Sequence, residues 1–598
     1  MFLSNIKLWN FRKFGKDGQI DRERPNLDLN LNKGLNVIIG ENDSGKTAII
    51  DAIKLVLKTH SYDYIRVEDK DFYRESEHFR IELTFDGLTP QEAKNFIEWL
   101  GWIGDRDQAK PFLRLSLDGR RKDNKIFPAD IKAGVDDEGY LLTAEAREYL
   151  KVTYLKPLRD AESELVAKRN SRLSQILLAD EAFKGKEQTN DLVKIFSGLK
   201  IDLENYFKGE FKREISNPDG TKEVIRPLDG KKIKDKIDSY INAFYGTDTQ
   251  TEFNATSNDI KSILEKLTLN LLGDPNPGLG TLNRLFMAAE LLHLNKSNWT
   301  GLRLGLVEEL EAHLHPQAQM QVIEALQKQE NIQLILTTHS PNLASKLELQ
   351  NLIICNNSNA FPMGESFTKL APDNYKFLEK FLDTTKANLF FAKGVILVEG
   401  WAEEILIPSL AKAIGINLTE KGVSVVNIGH TGFNHYANIY LRKSEPHMQI
   451  PVAVITDSDV RTYEKKGDNV LKRDAETIHA EAKQKTDDIE SKSEKNVKYF
   501  ATPKWTLEYA MFHSRSLNTL FETAVKKFHT QTPWNADFEL ELAKKLIYKS
   551  LEKTRIAYEI ASAIDKDLDK PADKRQIKIT DDDSINYLVR AIKYAAGN

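Results

Sequence analysis

A multidomain α/β fold is predicted for this chain by three observations. Two separate stretches alternate short apolar strands with helices, one opening near residue 35 and the other at Gly394. A charge-rich stretch that reads as helical, from about 160 to 270, interrupts the first of them. The length of 598 residues exceeds what one hydrophobic core organises and suggests roughly three or four domains.

Composition narrows the function classes. Hydrophobic residues are 41% and charged residues 29%, a globular balance. The net charge of −4 gives no global attraction to nucleic acid, so a DNA-binding surface must concentrate its positive charge locally. The single cysteine, Cys355, excludes an internal disulfide and a cysteine-only zinc site, and fits a reducing cytoplasmic setting. The opening MFLSNIKLWNFRKF has no apolar core or cleavage pattern of a signal peptide. No run of about 18 apolar residues is present, so no membrane span is expected.

In chain order, Ile6, Leu8 and Trp9 begin an apolar segment, and Leu35–Ile39 reads as a buried strand. A glycine-containing loop follows, and Ala48–Ile53 opens a helix. Segments 79–85 and 112–117 alternate as sheet strands do. A turn-rich basic patch lies at 216–235, and strands return at 302–307 and 332–338. From Gly394 the order is strand, helix, strand, helix and strand, a parallel α/β pattern. The polar run 463–498 reads as a solvated helix or loop insertion, and 535–598 as helical.

The loop Gly40-Glu41-Asn42-Asp43-Ser44-Gly45-Lys46-Thr47 satisfies G-x-x-x-x-G-K-[ST] in full, between a buried strand and a helix. Glycines let backbone N–H groups wrap phosphates and the helix N-terminus adds a favourable dipole. Lys46 can reach the β- and γ-phosphates, and Thr47 can hold Mg²⁺. The strand Leu304–Val307 ends in Glu308-Glu309, of which the first acid suits Mg²⁺ and the second can polarise the attacking water. A third strand delivers His339, placed to sense the γ-phosphate. These features resemble ABC-type ATPase heads of the SMC and RecF kind. Arg12 in LWNFRKF resembles their N-terminal arginine segment, and LVEELEAHLHP their Walker B and D-loop region. The usual serine-glycine-glycine signature is absent. Gly278–Asn283, leading into RLFMAAELL, is the expected substitute, with Asn283 offered to the nucleotide of a second protomer.

The second constellation is acidic. Val395–Val398 ends in Glu399-Gly400, with Glu403 in the first turn of the next helix. Val452–Thr456 ends in Asp457-Ser458-Asp459, two aspartates expected on one side at the carboxyl edge of a parallel sheet, where ligands bind. Four carboxylates at one edge repel unless cations lie between them, and Mg²⁺ or Mn²⁺ suits oxygen ligands. The set resembles a Toprim domain. Glu399, Asp457 and Asp459 match its acids, Val426–Gly429 its middle strand and turn, and Glu403 its nuclease branch.

An ABC head followed by a Toprim pattern resembles the OLD (overcoming lysogenization defect) family of nucleases over nearly the whole chain, including the junction-like segment 154–176. By position, the resemblance implies that Glu508 is a further metal-site acid and Lys553 an active-site lysine. It implies an ATP- and Mg²⁺- or Mn²⁺-dependent DNA endonuclease, gated by its ATPase and acting in antiphage defence. A helicase or a retron reverse transcriptase is the implied partner. The expected layout is a first ATPase half at 1–165, a helical, dimerising insertion at 166–270 and a second ATPase half at 271–385. The Toprim domain is expected at 386–520 and a helical region completing its site at 521–598. Half of the helical stretch from about 170 to 265 would span only about 70 Å as one helix, too short for a long coiled-coil arm. A packed module joining a homodimer or homotetramer is expected instead. Two rival readings are an SMC-like DNA tether with an inert Toprim fold and a topoisomerase. The latter needs a nucleophilic tyrosine that no sequence context singles out.

Overall fold

The computed structural model describes the chain except residues 61–64, 105–108, 124, 137, 157–164, 184–189, 193–204, 217–221, 247–248, 255–259, 275–276, 296–298, 431, 535–536, 581–582 and 598. It divides into two compact units. The first holds 1–343 and 351–362, the second 344–350 and 363–598.

The first unit combines two sheets. An antiparallel sheet runs Leu27–Asn30, Phe2–Trp9, His78–Asp86, Lys110–Lys122, Ile131–Ala133 and Tyr140–Leu141, with Leu100–Ile103 and Lys125–Ile126 beside the long fourth strand. Its core positions alternate: Phe79, Ile81, Leu83 and Phe85 all face inward from one strand. The other sheet runs Thr153–Leu155, Leu304–Val307, Gln333–Thr338, Leu35–Ile39 and Leu352–Asn356 in parallel, closed by antiparallel Asn359–Pro362. Leu304–Val307 and Gln333–Thr338 are buried at every residue, as strands covered on both faces must be. Gln333–Thr338, which leads to His339, thus lies between the strand of the Gly40–Thr47 loop and the strand of Glu308 in one sheet.

The stretch expected to be helical is mixed. Besides helices Arg172–Ala179, Asp229–Tyr245 and Ile260–Glu265 it carries the antiparallel pairs Arg213–Ser216 with Lys222–Ile225 and Thr251–Asn254 with Thr268–Leu271. It packs on its own head. Arg172 makes a two-pronged ion pair with Glu290 at 2.6 and 2.9 Å, both side chains buried, and Asp229–Tyr245 packs against Leu279–Leu294 and Pro316–Gln327. Parts of the basic patch (217–221) and of the junction-like segment (157–164) lie outside the described residues.

The second unit is built on a parallel sheet in the order Val423–Asn427, Gly394–Val398, Val452–Thr456, Val497–Ala501. Helices Trp401–Ala413 and Lys553–Leu568 pack along each other, and Asn586–Ala595 lies against three of the strands. A Cβ on Gly394 would stand 2.0 Å from the Ala595 carbonyl oxygen, so this strand start has to be glycine. The polar run forms the hairpin Tyr463–Lys466 with Asn469–Lys472 and the helix Ala475–Glu490, in which only Ala482 and Ile489 are buried. Among the described residues no helix is long and apolar enough to cross a membrane.

Candidate functional site

The first site is a cavity of about 440 Å³ in the first unit. Arg12, Asn42, Gly45, Lys46, Thr47, Glu308, Glu309 and His339 all line it, joining residues from both ends of the head. The loop turns through left-handed backbone at Asp43 (φ 60°) and Gly45 (φ 108°), and Gly45 caps helix Lys46–Leu57. Gly40 leaves room for the Cys355 carbonyl, 2.5 Å from where a Cβ would sit. Lys46 donates to the carbonyls of Gly40 (2.8 Å) and Glu41 (2.6 Å), and burial holds its ammonium below the usual lysine range.

The acids differ in environment. Glu308 is buried, accepts a hydrogen bond from the Tyr154 hydroxyl (2.9 Å), and is pushed up by burial. Its other oxygen is buried without a hydrogen-bond partner among the described residues, which fits a Mg²⁺ ligand beside Thr47. Glu309 stands more open, with φ 48° and its N–H donating to Thr337 Oγ1 (3.1 Å). His339 Nε2 lies 3.8 Å from Glu309 and 3.7 Å from Glu311, and the His339 N–H donates to Glu311 Oε1 at 2.7 Å. Tyr154 and Glu311 orient the cavity's acids and histidine, and neither was singled out from the sequence. Arg12 lines the cavity with both prongs engaged, by Asp51 at 2.7 Å and Asp71 at 2.9 Å.

Asn283 corrects an expectation. It is 1% exposed and donates to the Ala312 carbonyl (2.9 Å) within its own unit, instead of being offered outward. The segment begins a helix capped at Gly278, and its fifth residue falls on the buried face, while Leu279 remains exposed.

The second site lies at the carboxyl edge of the Toprim-like sheet. Glu399 accepts hydrogen bonds from Thr456 Oγ1 and from the Asp457 N–H (3.2 Å), and Asp457 accepts from the Leu507 N–H (2.9 Å). Glu508, 1% exposed, is paired with Lys553 at 2.8 Å. Burial and the neighbouring Glu508 push Glu403 up to about 7, and burial with Glu508 and Glu403 pushes Asp457 well above the carboxylate range. Against its own burial, Lys553 is held above the usual lysine range by Glu508, Asp457 and Glu403. The structure therefore brings Glu399, Glu403, Asp457, Glu508 and Lys553 into one electrostatic group.

Asp459 stands apart from Asp457. The strand ends at Thr456, and Asp459 sits beyond it in left-handed backbone (φ 57°), exposed, with its N–H bonded to the Trp505 carbonyl. The two-residue alternation of a strand does not reach it, so it does not share the buried setting of Asp457. Tyr587 was missed altogether. Burial, Asp457 and Glu403 push its buried hydroxyl well up, against an opposing hydrogen-bonding influence of Thr502. It comes from helix Asn586–Ala595, whose approach to this sheet no local pattern announces.

Among the described residues no three His, Cys, Asp or Glu side chains are arranged to hold a metal ion. Lys553 takes up Glu508, and Thr456 with the Asp457 N–H takes up Glu399. The donor set nevertheless fits a divalent cation: oxygen ligands that raise one another's proton affinity are those a hard cation relieves.

Comparison with known proteins agrees with both halves. Residues 1–344 match the AAA ATPase domain, and residues 390–459 match the Toprim domain of overcoming lysogenization defect-like proteins. The chain is 23% identical to the endonuclease GajA of Bacillus cereus (strain HuB5-5), covering 77% of each protein. It is 24% identical to the OLD nuclease of Thermus scotoductus, covering 78% of this chain and 85% of that one. The solved C-terminal region of the Xanthomonas campestris OLD protein is 22% identical over 35% of this chain and 95% of its own, with a TM-score of 0.22. The chain belongs to the AAA ATPase-domain family, and behind that head it carries a Toprim domain that matches the one in overcoming lysogenization defect-like proteins.

Proposed function

We propose that the protein is an ATP-binding, divalent-metal-dependent DNA endonuclease whose ATPase head gates access of DNA to the Toprim site. The observation that carries this reading is the grouping of Glu399, Glu403, Asp457 and Glu508 with Lys553 at the carboxyl edge of one parallel sheet. Relatives named endonuclease and OLD nuclease support it.

In this reading Glu399, Glu403, Asp457 and Glu508 hold the cations, with Asp459 approaching from its exposed loop. Bound divalent cations supply an activated water and charge for the leaving 3′ oxygen. Lys553, released from Glu508, neutralises negative charge that develops on the scissile phosphate. The Asp457 carboxylate is oriented by the Leu507 N–H, and Glu399 by Thr456. At the head, Lys46 exchanges its loop carbonyls for phosphate oxygens, Glu308 and Thr47 hold Mg²⁺, Glu309 polarises the attacking water, and His339 reads the γ-phosphate. Gating couples the two through a change in head engagement, as ATP-driven closure does elsewhere. A homodimer or homotetramer is the proposed assembly. Relatives named as probable ATPases of the retrons Ec83 and Vc95 support a retron partner, and antiphage defence is the role proposed with it.

A second reading, a DNA tether with an inert Toprim fold, is favoured by one observation: the Lys553–Glu508 pair occupies part of the acid cluster. Plasmid nicking separates the two. The endonuclease reading expects supercoiled DNA to be nicked with Mg²⁺ or Mn²⁺, not with EDTA. Asp457→Ala is expected to abolish nicking with ATP binding intact. Metal-dependent nicking that survives Asp457→Ala would remove the Toprim site from the mechanism.

A further inference from the structure

The carboxyl edge of the Toprim sheet carries aromatic rings that no core explains. Trp401 stands two residues past Glu399, at the start of helix Trp401–Ala413, and is 65% exposed. Among the described residues no aromatic ring lies against it. Nearby, three rings form a stack. Phe377 lies between His435, at 3.9 Å and 14°, and Phe381, at 4.4 Å and 21°. His430 meets Phe377 edge-on at 5.3 Å and 88°. Phe381 ends the stack and is 49% exposed.

One backbone and one side-chain contact tie both features to the acids. The Ile428 N–H donates to the Val398 carbonyl (3.1 Å), one residue before Glu399. His430 follows Ile428 by two residues, at most about 7 Å of chain. Asn427 donates to Glu404 (3.0 Å) in the first turn of the helix that Trp401 begins. Trp401, the loop bearing His430, and Glu399 therefore share one edge. Stapling helix Pro372–Phe381 to helix Phe433–Ala437 explains Phe377 and His435. It does not explain Phe381 or Trp401, whose rings face water beside a proposed phosphodiesterase centre. Isolated exposed apolar residues are ordinary, but two large rings at the mouth of a polar site are not.

We propose that this edge holds an unpaired stretch of DNA, stacking its nucleobases on Trp401 and on the Phe381 end of the ring stack. The inference rests on the phosphodiesterase reading of the same site and names its substrate class. Duplex pairing hides base faces inside the helix, whereas unpaired bases present a flat π surface of any sequence. The site would then prefer forks, flaps or single strands over blunt duplex.

Binding is measured on the full chain in EDTA, where no cleavage occurs. One probe is a forked oligodeoxynucleotide with 2-aminopurine in its unpaired arm, and the other a blunt duplex. The wild type is expected to bind the fork and quench the 2-aminopurine. Phe381→Ala and Trp401→Ala are each expected to weaken fork binding about ten-fold, the effect of losing one stacked base. They should relieve the quench and leave blunt-duplex affinity within about two-fold. Phe381→Tyr and Trp401→Phe, which keep a ring, are expected to retain both. The proposal is overturned if the wild type does not bind the fork, if both alanine variants bind it as the wild type does, or if fork and duplex affinity fall together. If the wild type nicks plasmid in an Asp457-dependent way while the alanine variants bind the fork normally, stacking fails alone. If stacking holds but nothing is cleaved, the nuclease reading fails alone.

Discussion

The Lys553 ammonium lies 2.8 Å from the carboxylate of Glu508, although the lysine side chain is 47% exposed and the glutamate 1%. A charge that could stay in water is thus drawn to one that cannot. Removing it leaves a buried carboxylate among like charges. Lys553→Ala is expected to lower the stability of the metal-free protein by about 1–3 kcal/mol, a buried-pair cost reduced for the lysine's exposure. Added Mn²⁺ should recover most of the loss. Thermal melts with EDTA or Mn²⁺ check this, and equal losses in both would remove the lysine from the acid cluster. Nicking should fall about 10²–10³-fold if the lysine neutralises transition-state charge.

Acidity and metal should compete. Glu403 is held up to about 7 in the folded protein, from an ordinary value of 4.5. Between those pH values the folded chain keeps a proton that the unfolded chain has released, so this group favours folding at the acid end and its contribution is lost as pH rises through about 7. Asp457 acts in the same direction. A divalent cation takes the proton's place at high pH. Metal is therefore expected to raise Tm more near pH 8 than near pH 5.5, read in paired melts with and without EDTA. A larger increment at the acid end would contradict the proposed ligand set.

Tyr587→Phe removes one buried hydroxyl and opens no cavity. With that hydroxyl facing Asp457 and Glu403, the variant should bind Mn²⁺ about ten-fold more weakly, the usual scale for groups supporting a ligand. Stability without metal should change by no more than about 1 kcal/mol, the scale of one hydrogen bond with Thr502. Titration of Mn²⁺ by electron paramagnetic resonance decides it, and unchanged affinity would leave Tyr587 a core residue.

At the head, Lys46→Ala is expected to lose nucleotide binding. Glu309→Gln should bind ATP and turn over about 10²-fold more slowly. Tyr154→Phe frees Glu308 from its hydrogen bond and should weaken Mg²⁺-dependent more than Mg²⁺-free nucleotide binding. Calorimetry with and without Mg²⁺ separates the three.

The assembly is read by light scattering on the full chain, with a mass at least twice that of one chain expected with ATP. Because the insertion covers its own head through Arg172 and Glu290, deleting it would strip that helix bare. Exposed Leu279→Asp, at the head surface, is the cleaner variant and should reduce ATP-dependent association. A monomer under all conditions would defeat the proposed assembly.

What the sequence disclosed follows contact range. The loop Gly40–Thr47 and the strand ending at Glu399 were legible because their chemistry is written within a few residues. Asp459 lies three residues past the end of its strand, where alternation no longer places it, and Asn283 faces inward, which was not legible because a helix start does not say which face its later residues present. The hairpin at Arg213–Ser216 hid in a charged stretch with no apolar alternation. Tyr154 and Tyr587 reach their sites through tertiary packing alone.

The contact between Gly394 and Ala595 also sets an order of manufacture. The first strand of the Toprim sheet is capped by backbone made about 200 residues later, roughly 10–40 s at ordinary rates of synthesis. Over that interval a ribosome-bound chain carries a complete head and unfinished nuclease machinery, with Lys553 and Tyr587 still to emerge. The proposed nuclease centre is therefore completed only when the last helix, Asn586–Ala595, has been made.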